Sequence, residues 1–203
     1  MRYKRMICFI LLLSIIDVRD AMSINGDEAL ELFKTRLSSI KTIKGKVTLS
    51  YNIGEVYIGS LKYMSPDKIH VEFQKPKGKI IVCNGKKLWV YDYSSNVCGV
   101  QDLDREKYSN ITELLSSYIA ILLSKDKSGY RIRLTNYMQE YYEITLSMDT
   151  TFFLREAVFK SSQVDGFTLS LADVIIDEKM TPGIFDYDVP ATALVGKNPL
   201  DVR

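Results

Sequence analysis

The sequence predicts a mainly β (α+β) protein in which about ten antiparallel strands and two helices form one curved sheet or partial barrel. From Lys46 onward, apolar and polar residues alternate with a period of two, as along a strand with one buried face. Asn84-Gly85 lies between two such runs, and Asn-Gly is a strong signal of a tight hairpin turn. The chain of 203 residues suits a single domain.

The segment 1–23 has the pattern of a secretory signal peptide. Basic residues precede an apolar run over 6–16, which is too short to span a bilayer unaided. Small residues at Ala21 and Ser23 predict cleavage after Ser23, and a core helix is the alternative interpretation of the same run. We therefore expect one exported domain over 24–203.

The charge of the exported domain argues against a nucleic-acid partner. The chain has 27 basic and 25 acidic residues, of which four and two lie in 1–23, so the segment 24–203 has no formal net charge. A protein that binds phosphate backbones normally presents a positive field, and none is predicted here.

The first helix and the strands follow in chain order. Helical spacing of Leu30, Phe33 and Leu37 predicts a helix over 27–40, with Asp27 as its N-cap or as an acidic residue of its first turn. Asn-, Pro- and Gly-containing turns then separate the strands, and Gly59 predicts a bulge or a bend. The predicted strands cover 46–51, 56–64, 69–74, 80–83, 87–93, 97–103, 130–134, 141–147, 152–160 and 167–175, and an edge segment covers 185–190.

A second helix is predicted over 110–123. Asn110 and Glu113 have the spacing of a capping box at its start. Its apolar positions recur every three or four residues, which predicts one buried face. These positions are Ile111, Leu114, Leu115, Tyr118, Ile119 and Leu122.

The cysteines of the exported domain are predicted to be free thiols. Cys83 and Cys98 lie on the strands before and after the Trp89 strand. In a meander these strands are roughly 9.5 Å apart, which is beyond the reach of a disulfide. Buried thiols are therefore expected, although an exported protein also permits a disulfide.

The sequence shows no equipment for catalysis. It contains one histidine, His70, which alternates with apolar residues and is predicted to be a solvated sheet residue. No nucleophile elbow, zinc-ligand spacing or phosphate-binding glycine loop occurs. We expect no catalytic residue, no metal and no cofactor, so the protein is not expected to be an enzyme.

Several motifs together identify a resemblance to a known family. The helix is followed by a strand that ends in the turn 63–66, a strand with Phe73, a break at Pro76, the run 83–92 and the terminal segment 185–190. This order, and the run NGKKLWVYD above all, resembles the periplasmic outer-membrane lipoprotein carriers of the LolA family, with Asn where the family has Asp. The resemblance covers nearly all of the exported domain in element order.

The resemblance implies a strongly curved antiparallel half barrel covered by lid helices, with a hydrophobic cavity. It also implies a monomeric periplasmic carrier that takes acylated lipoproteins from an inner-membrane ABC transporter and delivers them to the outer membrane, where an acceptor can exist. Family members commonly carry Arg before the Pro of the second turn to tie the sheet to the lid. Ser65 stands there in this sequence.

The predicted cavity residues come from the sheet and from the second helix. The sheet set is Leu61, Tyr63, Ile69, Val71, Phe73, Trp89 and Tyr91. The lid set is Leu114, Leu115, Tyr118, Ile119 and Leu122. The strand parity is open at this stage, so members of the sheet set can instead belong to an ordinary core on the other face.

Other roles remain open from the sequence. A related half barrel can serve as a sensor that binds lipid or acylated proteins and controls a signalling partner, usually with a second domain. An outer-membrane acceptor would need a lipobox cysteine at its processed N-terminus, and Cys8 lies within the apolar run instead. A purely structural interaction domain would have a filled core.

Overall fold

The structure is a computed structural model that describes residues 24–103 and 111–197. Twelve strands of one sheet are numbered β1 to β12 in chain order. They span Thr42–Tyr51, Val56–Met64, Lys68–Lys75, Lys77–Asn84, Lys87–Asp92, Val97–Asp102, Ile119–Asp126, Gly129–Thr135, Glu143–Met148, Leu154–Lys160, Phe167–Ile176 and Leu194–Lys197. Helix α1 spans Gly26–Ser39, helix α2 spans Ile111–Ser116, and a 3-10 helix spans Pro182–Phe185.

The sheet is open and curved, and the prediction of a mainly β antiparallel fold is confirmed. The strand order is β12-β6-β5-β4-β3-β2-β1-β11-β10-β9-β8-β7. Sequential strands pair within β1 to β6 and within β7 to β11, and the antiparallel pair β1–β11 joins these two halves of the sheet. Strand β12 is added parallel to β6 at one edge.

The strand pairing fixes two faces, which we call inner and outer. Directly paired residues lie on the same face, and successive residues alternate. Val47 pairs with Leu171, and Val71 pairs with Ile81 on the inner face, on which α1 packs. Val82 and its partner Trp89 mark the outer face.

The prediction of a helix over 27–40 is confirmed by α1. Asn25 caps it: its side chain accepts a hydrogen bond from the Glu28 N–H at 2.9 Å, and the Glu28 carboxylate accepts one from the Asn25 N–H at 3.0 Å. Ala29, Leu30 and Phe33 are buried against the inner face of β7 to β10. This cluster also contains Leu115, Tyr118, Ala120, Ile132, Leu134, Ile144, Leu146, Met148 and Ala157.

The prediction of a continuous helix over 110–123 is wrong. Helix α2 ends at Ser116, and β7 starts at Ile119. The apolar run 118–123 fits helical spacing and also fits a strand, and the β-branched residues Ile119 and Ile121 favour the strand. Pairing with β8 then satisfies the β7 backbone. The predicted N-cap Asn110 lies outside the described residues.

The predicted hairpin between β4 and β5 is confirmed, with a shift in its turn. Asn84 is the last residue of β4, and Gly85 has φ of 83°. The Asn84 side chain accepts hydrogen bonds from the Lys86 and Lys87 N–H groups, both at 2.9 Å. Glycine is therefore required at Gly85, whereas Asn84 closes the turn with its side chain. The predicted bulge at Gly59 is also present, as a register shift in the β2–β3 pairing.

The segment after β11 packs on the outer face of β3 to β6. The ring of Phe185 is fully buried there, and Tyr187, Val189 and Ala193 pack on the cluster that contains Trp89. Burial and the neighbouring Tyr93 raise the pKa of Tyr187, so its phenol stays neutral. The outer face of this half of the sheet is therefore a closed core.

His70 differs from its prediction, because it holds this segment and is not a solvated residue. Its Nδ1 lies 2.8 Å from the Ile184 carbonyl oxygen, to which it donates a hydrogen bond. Asn84 donates to the Asp186 carboxylate at 2.9 Å, and Asn96 donates to the Thr192 carbonyl at 2.8 Å. These three polar side chains fasten the segment to the sheet along its length.

The two cysteines are free and buried, as predicted. Cys83 pairs with Leu88 on the inner face, whereas Cys98 pairs with Tyr91 on the outer face. A disulfide between them would have to cross the sheet. Burial raises the pKa of both thiols, so both remain protonated and unreactive at neutral pH.

We expect iodoacetamide to leave Cys83 and Cys98 unmodified in the native protein. The same reagent should modify both residues in denaturant without a reductant, because the buried thiols become accessible on unfolding. Peptide mapping by mass spectrometry measures each site separately. A peptide that links the two cysteines, or rapid modification of the native protein, would contradict this expectation.

Gly26 allows α1 to approach the sheet, and its replacement should weaken that packing. A Cβ added at Gly26 would lie 2.6 Å from the Ala120 carbonyl carbon and 2.8 Å from the Ile121 Cα. Since these atoms are backbone, Gly26→Ala must displace α1, and we expect a loss of about 1–3 kcal/mol in the free energy of unfolding. Chemical denaturation measures this loss.

Gly183→Ala is the matched control for that measurement. No atom lies within 4 Å of a Cβ added at Gly183, which is in the 3-10 helix. If both variants unfolded at the same denaturant concentration as the wild type, the close packing of α1 on β7 would be refuted.

Candidate functional site

A strip of aliphatic side chains lies half-buried on the inner face in the middle of the sheet. We call this strip the trough. Its members are Leu49, Leu61, Ile81, Leu169 and Leu171. The buried side chains Val47, Val71 and Phe73 lie among them. The trough therefore rests on a packed base and presents partly exposed aliphatic groups.

Cross-strand pairing places the trough residues together. Leu49 pairs with Leu169 across β1–β11, and Leu61 pairs with Val71 across β2–β3. The two pairs are offset by four residues along the strands, and Leu171, Val47 and Phe73 occupy the row between them. These rows together form one apolar surface across β11, β1, β2 and β3. On the other side of the same strands Lys46, Thr48 and Ser50 face the solvent-accessible outer surface, as their parity requires.

The trough lies beside α1 and is not buried under it. Helix α1 packs on β7 and β8, towards one edge of the strand order. Lys34 donates a hydrogen bond to the Ser116 hydroxyl at 2.7 Å, which ties α1 to α2. Together with Gly26, this contact holds α1 over its own half of the sheet and leaves the trough side chains partly exposed.

A row of aromatic rings borders the trough at one end. Phe73, Tyr57, Tyr51, Phe167, Phe159 and Tyr141 follow one another across the strands. Successive ring centroids are 5.5, 5.8, 5.7, 4.4 and 5.5 Å apart. Three of these contacts are edge-to-face, one is stacked and the Tyr51–Phe167 contact is tilted, so the rings form a continuous apolar border.

The polar atoms of this border are neutral or paired. Burial raises the pKa of Tyr51, so its phenol is uncharged. The Lys79 ammonium lies 5.3 Å from the centre of the Tyr57 ring and 3.8 Å from the Asp92 carboxylate. The row therefore offers a hydrophobic surface with cation–π and hydrogen-bonding contacts only at its margin.

The opposite end of the trough is closed. Ile40, Ile43 and Phe153 are buried there, and they pack with Leu61, Tyr63 and Leu171. Ile40 follows α1 and Phe153 precedes β10, so two connections meet at this point. An apolar chain lying in the trough would thus have one closed end and one end at the aromatic row.

The structure brings together five of the predicted sheet residues and separates two others from them. Leu61, Tyr63, Ile69, Val71 and Phe73 share the inner face of β2 and β3. Val71 and Phe73 are buried in the base of the trough, and Ile69 is more exposed. Trp89 and Tyr91 lie on the outer face under the C-terminal segment, because their parity is that of Val82. They cannot line the same surface.

The predicted lid residues do not form one helical stripe. Leu114 is exposed and Leu115 is buried, both on α2. Tyr118 is buried and donates a hydrogen bond to the Tyr141 carbonyl at 2.7 Å. Leu122 lies on the inner face of β7 against the α1 cluster, whereas Ile119 lies on the outer face and is 69% exposed.

Sequence reasoning did not identify four of the five members of the trough. Leu49, Ile81, Leu169 and Leu171 lie in predicted strands, and their period-two spacing marked one face of each strand. The missing information was the β1–β11 pairing, which joins strands that are far apart in the sequence. Alternation within a single strand cannot show which faces of two distant strands coincide.

The described residues contain no grouping suited to metal binding, since no three His, Cys, Asp or Glu side chains among them are placed to hold an ion. Two open depressions, of about 530 and 580 Å³, lie beside the β6–β12 pair and at the β3–β4 turn, and only Phe73 from the base of the trough contributes to the lining of the second. Over 24–103 and 111–197, none of the helices is both long and apolar enough to cross a bilayer.

Solved structures share this fold. An uncharacterized conserved protein from Thermus thermophilus is 18% identical, with a TM-score of 0.58 over 85% of this chain and 98% of that protein. MucB is 10% identical, with a TM-score of 0.56 over 83% of this chain and 65% of MucB. A complex of Pseudomonas aeruginosa MucA and MucB gives a TM-score of 0.53 at 10% identity over 79% of this chain and 60% of the matched chain.

At these identities the likeness concerns the fold alone. The comparison with curated proteins gives no match. The family model described as outer membrane lipoprotein carrier protein LolA matches residues 46–155, from β1 into β10. Since this match covers more than half of the chain, the protein belongs to the LolA family.

Proposed function

We propose that the protein is a periplasmic carrier that shields the acyl chains of lipoproteins in the trough and delivers them from the inner to the outer membrane. The observation that carries the proposal is the strip of half-buried aliphatic side chains left uncovered between α1 and the edge of the inner face. Membership of the LolA family and the predicted signal peptide support the periplasmic assignment.

The physical need for such a surface follows from the cost of exposing lipid to water. A buried methylene contributes about 0.8 kcal/mol, so an acyl chain of about 16 carbons costs about 12 kcal/mol in water. A chain in the trough would cover the exposed parts of Leu49, Leu61 and Leu171 while losing its own hydration. Apolar area of both the protein and the acyl chain is then removed from water, which favours binding.

The openness of the trough also suits release. An acyl chain in a partly open trough keeps some contact with water, so its binding is weaker than in a closed cavity. Transfer into a bilayer, where the whole chain is buried, is then favourable or nearly neutral. The proposed partners are an inner-membrane ABC transporter that loads the carrier and an outer-membrane acceptor that unloads it. We propose a monomer that has no enzymatic activity and binds no nucleic acid.

The lining of the trough is proposed to include the inner-face residues predicted from the sequence. Leu61, Tyr63 and Ile69 present accessible apolar groups, and Val71 and Phe73 support them from below. Leu122 and Leu115 contribute indirectly, because they anchor the α1 half of the sheet. Trp89, Tyr91 and Ile119 are not part of this proposal, since they lie on the outer face.

Leu61→Asn should weaken binding of a synthetic tripalmitoylated lipopeptide about tenfold, because it removes apolar contact and adds a polar amide in the trough. Displacement of a fluorescent fatty acid measures the affinity. Ile58→Asn is the matched control, since Ile58 is half-buried on the outer face of the same strand. Far-ultraviolet circular dichroism and thermal unfolding establish that both variants are folded.

An equal affinity of the folded Leu61→Asn variant and the wild type would refute the trough as the acyl site. An equal loss in both variants would point to general destabilisation and would likewise count against the assignment.

Protein purified from the periplasm should carry acylated cargo and should begin at Ile24. Intact mass and lipid-directed mass spectrometry measure both properties. A preparation that contains a stoichiometric protein partner and no acyl chain would instead favour a regulatory role. MucB, which has the same fold, is found in a complex with MucA, so the fold accommodates that alternative.

A further inference from the structure

One end of the sheet carries apolar side chains at the tips of several turns. We call this end the rim. Five turns meet there, since the β5–β6, β3–β4, β1–β2, β10–β11 and β8–β9 connections follow one another in the strand order. The rim is the end at which the aromatic row borders the trough, because Tyr51, Tyr57, Phe159 and Phe167 are the last or first inner-face residues of their strands.

The apolar tips of the rim are among the most exposed large hydrophobic side chains described. Met138 and Tyr137 in the β8–β9 turn are 93% and 83% exposed. Ile53 in the β1–β2 turn is 62% exposed, and Tyr93 in the β5–β6 turn is 55% exposed. Tyr137 and Met138 are neighbours in one turn, whereas Ile53 and Tyr93 lie in separate turns, and the Tyr93 ring packs on Tyr91 with centroids 4.6 Å apart.

Two lysines lie between these tips. Lys75 and Lys77 flank Pro76 in the β3–β4 turn, and both are exposed. This turn is placed between the β1–β2 turn with Ile53 and the β5–β6 turn with Tyr93. Lys79, in contrast, is engaged by Asp92 and the Tyr57 ring. Lys75 and Lys77 therefore lie in the turn between those that carry Ile53 and Tyr93.

Acidic residues at the rim limit its overall charge. Glu55, Glu140 and Asp165 are exposed in the other turns, and Glu55 accepts a hydrogen bond from the Tyr57 hydroxyl at 3.1 Å. The positive charge is therefore local to the β3–β4 turn. Binding that depends on this rim should rely on apolar insertion first and on attraction to anions second.

We propose that the rim docks on the surface of a phospholipid bilayer. The protruding tips would enter the boundary between headgroups and acyl chains, where Tyr is favoured, and Lys75 and Lys77 would meet lipid phosphates. The turns span roughly 40 Å along the edge of the sheet at about 9.5 Å per hairpin, a width that suits a surface and exceeds a small-molecule pocket.

Continuity with the aromatic row supports this occupant. Tyr137 stacks on Tyr142 with ring centroids 6.0 Å apart, and Tyr141 begins the aromatic row beside it. An apolar chain that leaves a membrane at the rim would therefore meet rings before it meets the aliphatic trough. The docking surface goes beyond the proposed function and can be tested without any cargo.

The test is co-sedimentation of purified protein with large unilamellar vesicles, using protein shown by intact mass to lack the segment 1–23. One vesicle is phosphatidylcholine, and the other is phosphatidylcholine and phosphatidylglycerol at about 3:1. We expect wild-type protein to bind both vesicles and to bind the anionic one more tightly. Ile53→Ser combined with Met138→Ser should lower binding to both vesicles about tenfold or more.

Lys75→Glu combined with Lys77→Glu should abolish the preference for the anionic vesicle and leave most binding to phosphatidylcholine. The matched control combines Leu123→Ser with Ile175→Ser, which removes apolar side chains that are 43% and 52% exposed and lie away from the rim, in β7 and near the end of β11. Wild-type protein that stays in the supernatant with both vesicles would overturn the proposal.

Equal binding by the rim variants and the wild type would also overturn it, as would an equal loss of binding in the control variant away from the rim. The rim variants should still bind the lipopeptide in solution with wild-type affinity, because no trough residue is changed. Rim variants that lose vesicle binding but keep lipopeptide binding would support the rim proposal. If Leu61→Asn bound the lipopeptide as well as the wild type does, only the carrier proposal would be refuted.

Discussion

The register of the β1–β11 pair is the constraint on which the candidate site depends. This antiparallel pair connects strands that are distant in the sequence, and it sets Leu49 opposite Leu169 and Val47 opposite Leu171. A slip of one residue would turn the leucines of β11 towards the outer face and break the apolar strip. Because β1 also pairs with β2, the same register fixes Leu61 relative to both strands.

Two covers on opposite faces explain why the middle of the inner face stays open. Helix α1 covers the inner face of β7 to β10, and the C-terminal segment covers the outer face of β3 to β6. Each half of the sheet thereby gains a core on one side. Neither cover lies over the inner face of β11, β1, β2, β3 and β4, so the aliphatic side chains there remain accessible above the buried Val47, Val71 and Phe73.

The sequence predicted the sheet well because most of its strands carry a local signal. Alternation, turn residues and the Asn84-Gly85 hairpin each depend on a few neighbouring residues, and the structure confirms the hairpin and the curved antiparallel sheet. The helix predicted over 118–123 is wrong because continuous apolar residues satisfy both helical and strand spacing. The sequence could not decide on which face of the sheet Trp89 lies, because either apolar face can form a core. The C-terminal segment, which packs on the outer face, determines the outcome.

The packing of α1 on the sheet argues against its acting as a movable lid. A movable lid must exchange its contacts at low cost, yet Gly26 brings α1 against the backbone of β7, and Ala29, Leu30 and Phe33 are buried beneath it. Lifting α1 would expose these side chains, and burying each large one contributes about 1.5–3 kcal/mol.

Displacement of the whole helix is therefore expensive compared with occupation of the open trough beside it. The absence of the family arginine at Ser65 is consistent with this arrangement, since a helix fixed by its own packing does not depend on a latch. Under the proposed carrier function, the partial exposure of the trough, and not a closing lid, would set the balance between binding and release of an acyl chain.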